Sequence, residues 1–136
     1  MKELYKTKVS AVGGRNGTIT SEDGVLNLEV RTPKELGGEG GAYTNPEQLF
    51  GAGYSACFVA ALNLIAGKKK LNIKPKVSAT VGLLKAEVGF DLSLKVDAEI
   101  EGVDRTVANE LLQEAHNICP YSKATKNNID VKLNLL

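Results

Sequence analysis

The fold is decided by residues 45–67, NPEQLFGAGYSACFVAALNLIAG. Asn45 is a typical helix cap and Pro46 suits the first helical position. The carboxylate of Glu47 then faces the positive end of the helix. These three residues predict a helix that starts at residue 45 or 46 and runs to about Gly67.

The middle of this helix is apolar nearly all round. Such a helix has to be covered on every side, and one small sheet from the same chain cannot do that alone. Because Tyr54, Ser55, Asn63 and several glycines interrupt the apolar run, the pattern favours a buried central helix over a membrane span.

The segments on either side of this helix predict strands and a second helix. Before it, three short strands form an antiparallel meander with an Asn-Gly turn, followed by a Gly-rich loop over residues 31–45. After it, strands alternate with a helix that Pro120 ends. The order is βββ-α-ββ-α-β, an α+β fold of antiparallel sheets around a central helix, with residues 1–136 as one domain. The predicted segments are strands 3–12, 17–20, 25–30, 74–88, 90–101 and 129–135, and a second helix over 104–118.

Composition excludes several functional classes. A net charge of +1 leaves no basic face for nucleic acid. The N-terminus has no apolar run of signal-peptide length, so we expect a cytoplasmic protein without a membrane partner. Thiols in that compartment are normally kept reduced, which disfavours a permanent structural disulfide.

The two cysteines, Cys57 and Cys119, are the residues best suited to chemistry. Their separation excludes a CxxC metal knuckle or thioredoxin motif. Adding His116, the only histidine, gives at most three metal ligands, so no metal site is predicted. Buried thiols that merely pack remain the alternative, because Cys behaves as a small hydrophobe.

Two blocks around the cysteines and one turn resemble the organic hydroperoxide resistance (Ohr) branch of the Ohr/OsmC family, and the resemblance runs from end to end. The Pro-Tyr-Ser that follows Cys119 resembles the Ohr branch more than the OsmC branch. The matching stretches are 45–50 (NPEQLF) with 53–58 (GYSACF), 115–124 (AHNICPYSKA) and 14–17 (GRNG).

This resemblance implies a thiol peroxidase for organic and fatty-acid hydroperoxides. Cys57 becomes the peroxidatic cysteine and Cys119 the resolving one, while Arg15 and Glu47 activate and orient the thiolate. The resemblance also implies an intertwined homodimer, a dihydrolipoyl-bearing protein as reductant, and no metal, heme or flavin cofactor.

Physical chemistry adds a requirement for a cation. A peroxidatic cysteine must ionise, yet apolar burial raises the pKa of a thiol, and a mid-helix position gains little from the helix dipole. Arg15 is the natural candidate for Cys57. Taken singly, Arg15 also fits a solvated turn, and Glu47 also fits simple compensation of the helix dipole.

Aromatic side chains near Cys57 suggest an apolar substrate pocket. Phe50, Tyr54 and Phe58 would favour alkyl hydroperoxides over hydrogen peroxide, which has no apolar group to bury. Plain core packing is an equally good interpretation of each one.

Helix geometry suggests how a dimer completes the site. Glu47 and Cys57 lie ten residues apart, about 15 Å along a continuous helix, so they cannot touch in one subunit. An antiparallel copy crossing at the small residues 51–53 would place the partner's Glu47 beside Cys57. The hypothesis is therefore that each site borrows Glu47 from the partner, and the sequence leaves open whether Arg15 is borrowed as well.

Two other functions remain open from the sequence. One is a noncatalytic ligand-binding or structural domain whose cysteines pack. The other is a related family member that acts in osmotic stress with a broader peroxide preference.

Overall fold

The computed structural model describes all residues, Met1–Leu136, and confirms an α+β fold with two three-stranded sheets and three α-helices. The chain forms two compact units, Met1–Leu49 and Phe50–Leu136, and the boundary falls inside the long helix. The interpretation of residues 1–136 as one domain stays a prediction.

The first unit is built on the predicted antiparallel meander. Its strands are β1 (Val9–Val12), β2 (Gly17–Ser21) and β3 (Asn27–Val30), paired in that order. The first strand is shorter than predicted, beginning at residue 9 rather than 3. Leu4 and Tyr5 lie outside any strand and are largely exposed, because no strand of this chain lies beside them.

The turn between β1 and β2 needs glycine at both ends. Gly13 has a φ of +85°, and a Cβ on Gly17 would come 1.7 Å from the carbonyl oxygen of Val12. L-residues with side chains rarely adopt the first conformation, and the second leaves no room for one. The conformation of this turn therefore sets the position from which the Arg15 side chain extends.

The loop after β3 leads the chain into the long helix. Val30 forms an isolated parallel bridge with Thr44, and the loop contains a short 3-10 helix, Lys34–Leu36, that the sequence did not predict. Helix α1 spans Pro46–Lys68. The side chain of Asn45 accepts a hydrogen bond from the Gln48 N–H at 2.8 Å, which confirms the predicted cap.

Helix α1 buries one side and exposes the other. By length and composition it qualifies as a membrane span. Its buried residues, among them Phe58 and Leu62, instead belong to the core of the second unit, as in a core helix of a soluble protein. The opposite side carries a stripe of apolar residues that are exposed in the single chain, which we call the α1 stripe: Ala52, Ala56, Ala60 and Leu64.

The second unit contains the other sheet and two further helices. Strand β5 lies at the centre of this sheet, between β4 and β6. The prediction of antiparallel sheets holds for every pairing except one, because β6 runs parallel to β5. The helices between them carry the chain back across the sheet, and such a crossover is what a parallel pair requires. The elements are β4 (Lys74–Lys85), β5 (Phe90–Glu101), α2 (Arg105–Ile118), α3 (Pro120–Thr125) and β6 (Val131–Leu135).

Alternation along β5 and the stripe on α2 supply most of the remaining core. Asp104 caps α2 by accepting a hydrogen bond from the Val107 N–H at 2.8 Å. The core of the second unit joins the buried side of α1 to one face of the sheet and one side of α2. Its largest fully buried side chains are Tyr54, Phe58, Leu62, Val96, Leu111 and Leu112.

Candidate active site

Cys57 lies at the edge of the buried side of α1. Its side chain is half-buried and packs against the core of the second unit. Because α1 continues unbroken past this residue, Cys57 has a mid-helix position, as the sequence predicted. It therefore gains little ionisation from the helix dipole.

Cys119 is the single residue between two helices. It ends α2 and begins α3, its side chain is fully buried, and Pro120 occupies the first position of α3. The sequence predicted the end of α2 here but left the following stretch undecided between helix and irregular structure. As a result, two helix ends of opposite polarity meet at this residue.

The two thiols are neighbours in the second unit although 62 positions separate them in the sequence. Both are free rather than joined. Burial raises the pKa of the Cys57 thiol above its ordinary value of 9.0, and the nearby Cys119 raises it further. No cation is among the causes, so this single chain keeps Cys57 in the thiol form at neutral pH.

Arg15 and Glu47 form a two-point ion pair within the first unit. Nη1 of Arg15 donates to one carboxylate oxygen at 2.9 Å and Nη2 donates to the other at 2.5 Å. The guanidinium hydrogen bond holds the pKa of Glu47 below its ordinary value of 4.5. The structure thus brings together two predicted site residues that lie 32 positions apart.

The residues predicted to line a pocket are mainly core residues in the single chain. Tyr54 and Phe58 have no exposed surface, whereas Phe50 is half-buried. The hydroxyl of Tyr54 is hydrogen-bonded to Ser122 Oγ at 2.8 Å. Their assignment to a substrate pocket stays a prediction, and the burial of Tyr54 and Phe58 favours the packing role.

The sequence pointed to Tyr121 only as part of the Pro-Tyr-Ser motif and gave it no role in the site; in the structure it belongs to an aromatic cluster at this end of α1. Its ring lies 5.6 Å from that of Tyr54 and 6.3 Å from that of Phe50, measured between centroids. A signal was available in the sequence, because Gly53 lies one helical turn before Cys57 and leaves room above the helix for a large side chain.

His116 lies on α2 near the second cysteine but has no role that the sequence could assign. Its Nδ1 atom is buried without a hydrogen-bond partner. Burial and the charge of Lys126 both lower the pKa of its imidazole from 6.5. No group of three or more His, Cys, Asp or Glu side chains converges as a metal ion would require.

Chemically, this arrangement offers one thiol to solvent and holds a second thiol nearby. It contains two neighbouring free thiols, one partly accessible and one buried, and separately a preassembled guanidinium–carboxylate pair. A partly accessible thiol can react with an external oxidant, and a neighbouring thiol can then convert the product into a disulfide.

Comparison with known proteins points to one family. The sequence profile described as OsmC-like protein matches residues 38–134. The organic hydroperoxide resistance protein of Xanthomonas axonopodis pv. citri (strain 306) is 43% identical over 136 residues, covering 98% of this chain and 96% of the relative. The organic hydroperoxide resistance protein OhrB of Bacillus subtilis (strain 168) is 46% identical over 134 residues, covering 97% and 98%.

A solved structure agrees with these sequence matches. The crystal structure of an organic hydroperoxide resistance protein OsmC from Legionella pneumophila matches with a TM-score of 0.94 and 44% identity. The match covers 98% of each chain. The fold described above is therefore the fold of these proteins.

Proposed function

Because the chain belongs to the OsmC-like protein family, we propose that it is a thiol-dependent peroxidase that reduces alkyl and fatty-acid hydroperoxides to alcohols. Resistance to organic hydroperoxides is what the names of its relatives state. In this proposal the activity serves defence against oxidative stress in the cytoplasm.

The observation that carries the proposal is that two free thiols from distant parts of the chain lie near each other. Cys57 is partly accessible at the edge of the core of the second unit, and Cys119 is buried within that core and close enough to affect the pKa of Cys57. A peroxidase of this kind needs one sulfur that meets the oxidant and a second within reach of the first.

The proposed cycle has three steps. The Cys57 thiolate attacks the terminal oxygen of the hydroperoxide, so that an S–O bond forms, the O–O bond breaks and the alkoxide takes up a proton to become the alcohol. The sulfenic acid then condenses with the Cys119 thiol, which releases water and forms a disulfide. A dithiol, in this proposal a dihydrolipoyl group on a partner protein, reopens the disulfide by exchange and is itself oxidised.

The pKa of Cys57 is raised in the single chain, so in this proposal the thiolate is stabilised by a group that a second subunit brings beside it. We assign this role to Arg15 and Glu47 of a second subunit in a homodimer. The hydrogen bonds to Glu47 already orient the Arg15 guanidinium, so its position needs little further ordering. The α1 stripe supports a dimer, because apolar residues on a central helix are covered when a second copy packs there.

A noncatalytic domain remains the second candidate, and the raised pKa of Cys57 favours it as long as the chain is a monomer. The decisive experiment is to mix the reduced protein with cumene hydroperoxide and titrate the remaining thiols. We expect rapid loss of both thiols in the wild type and no loss in Cys57→Ser. Cys119→Ser should retain the first reaction and accumulate sulfenic acid at Cys57. Thiols that stay inert in the wild type would reject the peroxidase.

The reductant and the peroxide preference need separate assays. Turnover should be faster with dihydrolipoamide than with glutathione or thioredoxin, and faster with cumene hydroperoxide than with hydrogen peroxide. Equal turnover with both peroxides would favour the osmotic-stress relative considered above.

A further inference from the structure

Gly53 makes a notch in α1 that the phenol of Tyr121 fills. A Cβ at position 53 would lie 2.6 Å from Tyr121 Oη and 3.0 Å from its Cζ. A side chain at position 53 would have to displace the phenol, whose hydroxyl therefore lies close to the helix backbone at this point.

Cys57 lies one helical turn beyond this notch on the same side of α1. Residues i and i+4 are neighbours on a helix surface, with Cβ atoms about 5–6 Å apart. Every Cα–Cβ bond in a helix also tilts toward the N-terminus, so the sulfur of Cys57 leans back toward position 53. The phenol of Tyr121 and the thiol of Cys57 therefore face the same small volume above Gly53.

The ring of Tyr121 is held in place while its hydroxyl remains available. Tyr54 and Phe50 pack against the ring, and the Tyr121 carbonyl accepts a hydrogen bond from Thr125 Oγ1 at 3.1 Å. The neighbouring phenol of Tyr54 is already engaged by Ser122 and Thr125. Tyr121 thus offers the one phenol of this cluster that can donate to a bound molecule.

We propose that Tyr121 is a catalytic residue whose phenol donates a hydrogen bond to the leaving alkoxide oxygen when Cys57 attacks a hydroperoxide. The inference rests on the proposed peroxidase function. As the S–O bond forms and the O–O bond breaks, both bonding electrons of the O–O bond go to the alkoxide oxygen. The phenol stabilises that charge, and solvent supplies the proton that completes the alcohol.

A neutral donor suits this place. The site is partly buried and apolar, and a phenol costs less to desolvate there than a second cation would. A hydrogen bond that strengthens as charge develops lowers the barrier without tightening substrate binding. This role differs from that of the guanidinium, which acts on the sulfur.

The leaving group provides the sharpest test. Tyr121→Phe keeps the ring and removes the donor. We expect oxidation of Cys57 by tert-butyl hydroperoxide, followed in single turnover, to slow by about 10- to 100-fold. Oxidation by perbenzoic acid should change by less than about twofold, because its carboxylate leaves without help from a donor.

Two measurements separate this role from a structural one. The pH profile of Cys57 alkylation by iodoacetamide should be the same in Tyr121→Phe and the wild type, because the phenol acts on the leaving oxygen. Gly53→Ala, which pushes the phenol away without deleting it, should slow the tert-butyl hydroperoxide reaction, and Tyr121→Phe in that background should add little. Gly67→Ala is the matched control, since a Cβ there meets nothing within 4 Å.

Several outcomes would overturn the inference. These are an unchanged rate with tert-butyl hydroperoxide, an equal slowing with both oxidants, or a shifted alkylation profile. The wild-type reaction distinguishes this failure from failure of the proposed function: if wild-type Cys57 does not react with hydroperoxides at all, the peroxidase itself is rejected.

Discussion

Arg15 and Glu47 lie 32 positions apart in the sequence and meet through two parallel hydrogen bonds of 2.9 and 2.5 Å. Such a two-point contact fixes both the distance and the plane of the guanidinium. The first unit therefore presents a cation of defined orientation.

The first prediction concerns the pH dependence of this pair. The pKa of Glu47 is lowered from 4.5, so its contribution to stability is complete above that pH and is lost as the pH falls through the lowered value. Glu47→Gln should reduce the free energy of unfolding by about 1 kcal/mol at pH 7. The difference from the wild type should shrink toward zero at acidic pH in urea titrations.

The exposed pair of Arg31 and Glu29 provides the control, since its single contact is 3.4 Å long. Glu29→Gln should change the unfolding free energy by much less at any pH. A Glu47→Gln deficit that stayed constant down to pH 3 would contradict the ion-pair explanation.

The second prediction concerns His116, whose pKa is lowered from 6.5 mainly by burial and secondly by Lys126. Because the fold disfavours the charged imidazole, the free energy of unfolding has its full value above pH 6.5. It decreases as the pH falls below 6.5 and the unfolded chain binds the proton more readily. Because His116 is the only histidine, its imidazole NMR signal is unambiguous. The titration midpoint should lie below 6.5 and move upward in Lys126→Met.

Lys123→Met is the comparison for that experiment, since Lys123 lines the same small cavity as His116 without being a cause of the shift. It should move the midpoint less than Lys126→Met does. A wild-type midpoint at or above 6.5 would show that the imidazole is not desolvated.

The third prediction concerns the buried hydroxyls that link α1 to α3. Tyr54 is fully buried, and its hydroxyl lies 2.8 Å from that of Ser122. Tyr54→Phe leaves the buried Ser122 hydroxyl without this hydrogen bond, and Ser122→Ala leaves Tyr54 with only its 3.4 Å contact to Thr125, so each should cost about 1–2 kcal/mol. The double variant should cost less than the sum, and strict additivity in a urea-denaturation cycle would argue against the bond.

The fourth prediction concerns the proposed dimer. Leu64 on the α1 stripe is 53% exposed in the single chain. If a second copy covers this stripe, Leu64→Lys places a charge in an apolar interface and should shift the protein toward monomer in light scattering. Val88→Lys, in the β4–β5 turn and 89% exposed, should leave the mass unchanged. A wild type that is already monomeric would refute the arrangement.

Local signals predicted the bounds of the two long helices well but placed several strand ends two to six residues too far out. Asn45 and Pro46 gave the start of α1 because capping depends on neighbouring residues only. Strand β4 ends before residue 88 because the Ala86 N–H bonds to the Gly89 carbonyl in a tight turn. The direction of β6 was not predictable, because alternation looks the same in parallel and antiparallel strands.

The sequence named candidate site residues, whose roles stay predictions, but it did not give their contacts. The resemblance pointed to Cys57, Cys119, Arg15 and Glu47 together, yet nothing local says that Arg15 bonds Glu47. The buried side of α1 was equally hidden, since a helix that is apolar all round has no pattern to identify the side on which Tyr54 lies. Such contacts depend on the tertiary fold, which brings distant segments together.

The junction at Cys119 has a mechanical consequence. Its N–H bonds to Ala115 in α2 at 2.8 Å, while its carbonyl accepts from the Lys123 N–H in α3 at 2.9 Å. Rotation about φ and ψ of Cys119 would change the orientation of α3 relative to α2 without breaking either of these two hydrogen bonds. The Cα atom of this residue also bears the Cys119 thiol, so one residue both holds a reactive sulfur and sets the orientation of α3, including Tyr121 two residues along.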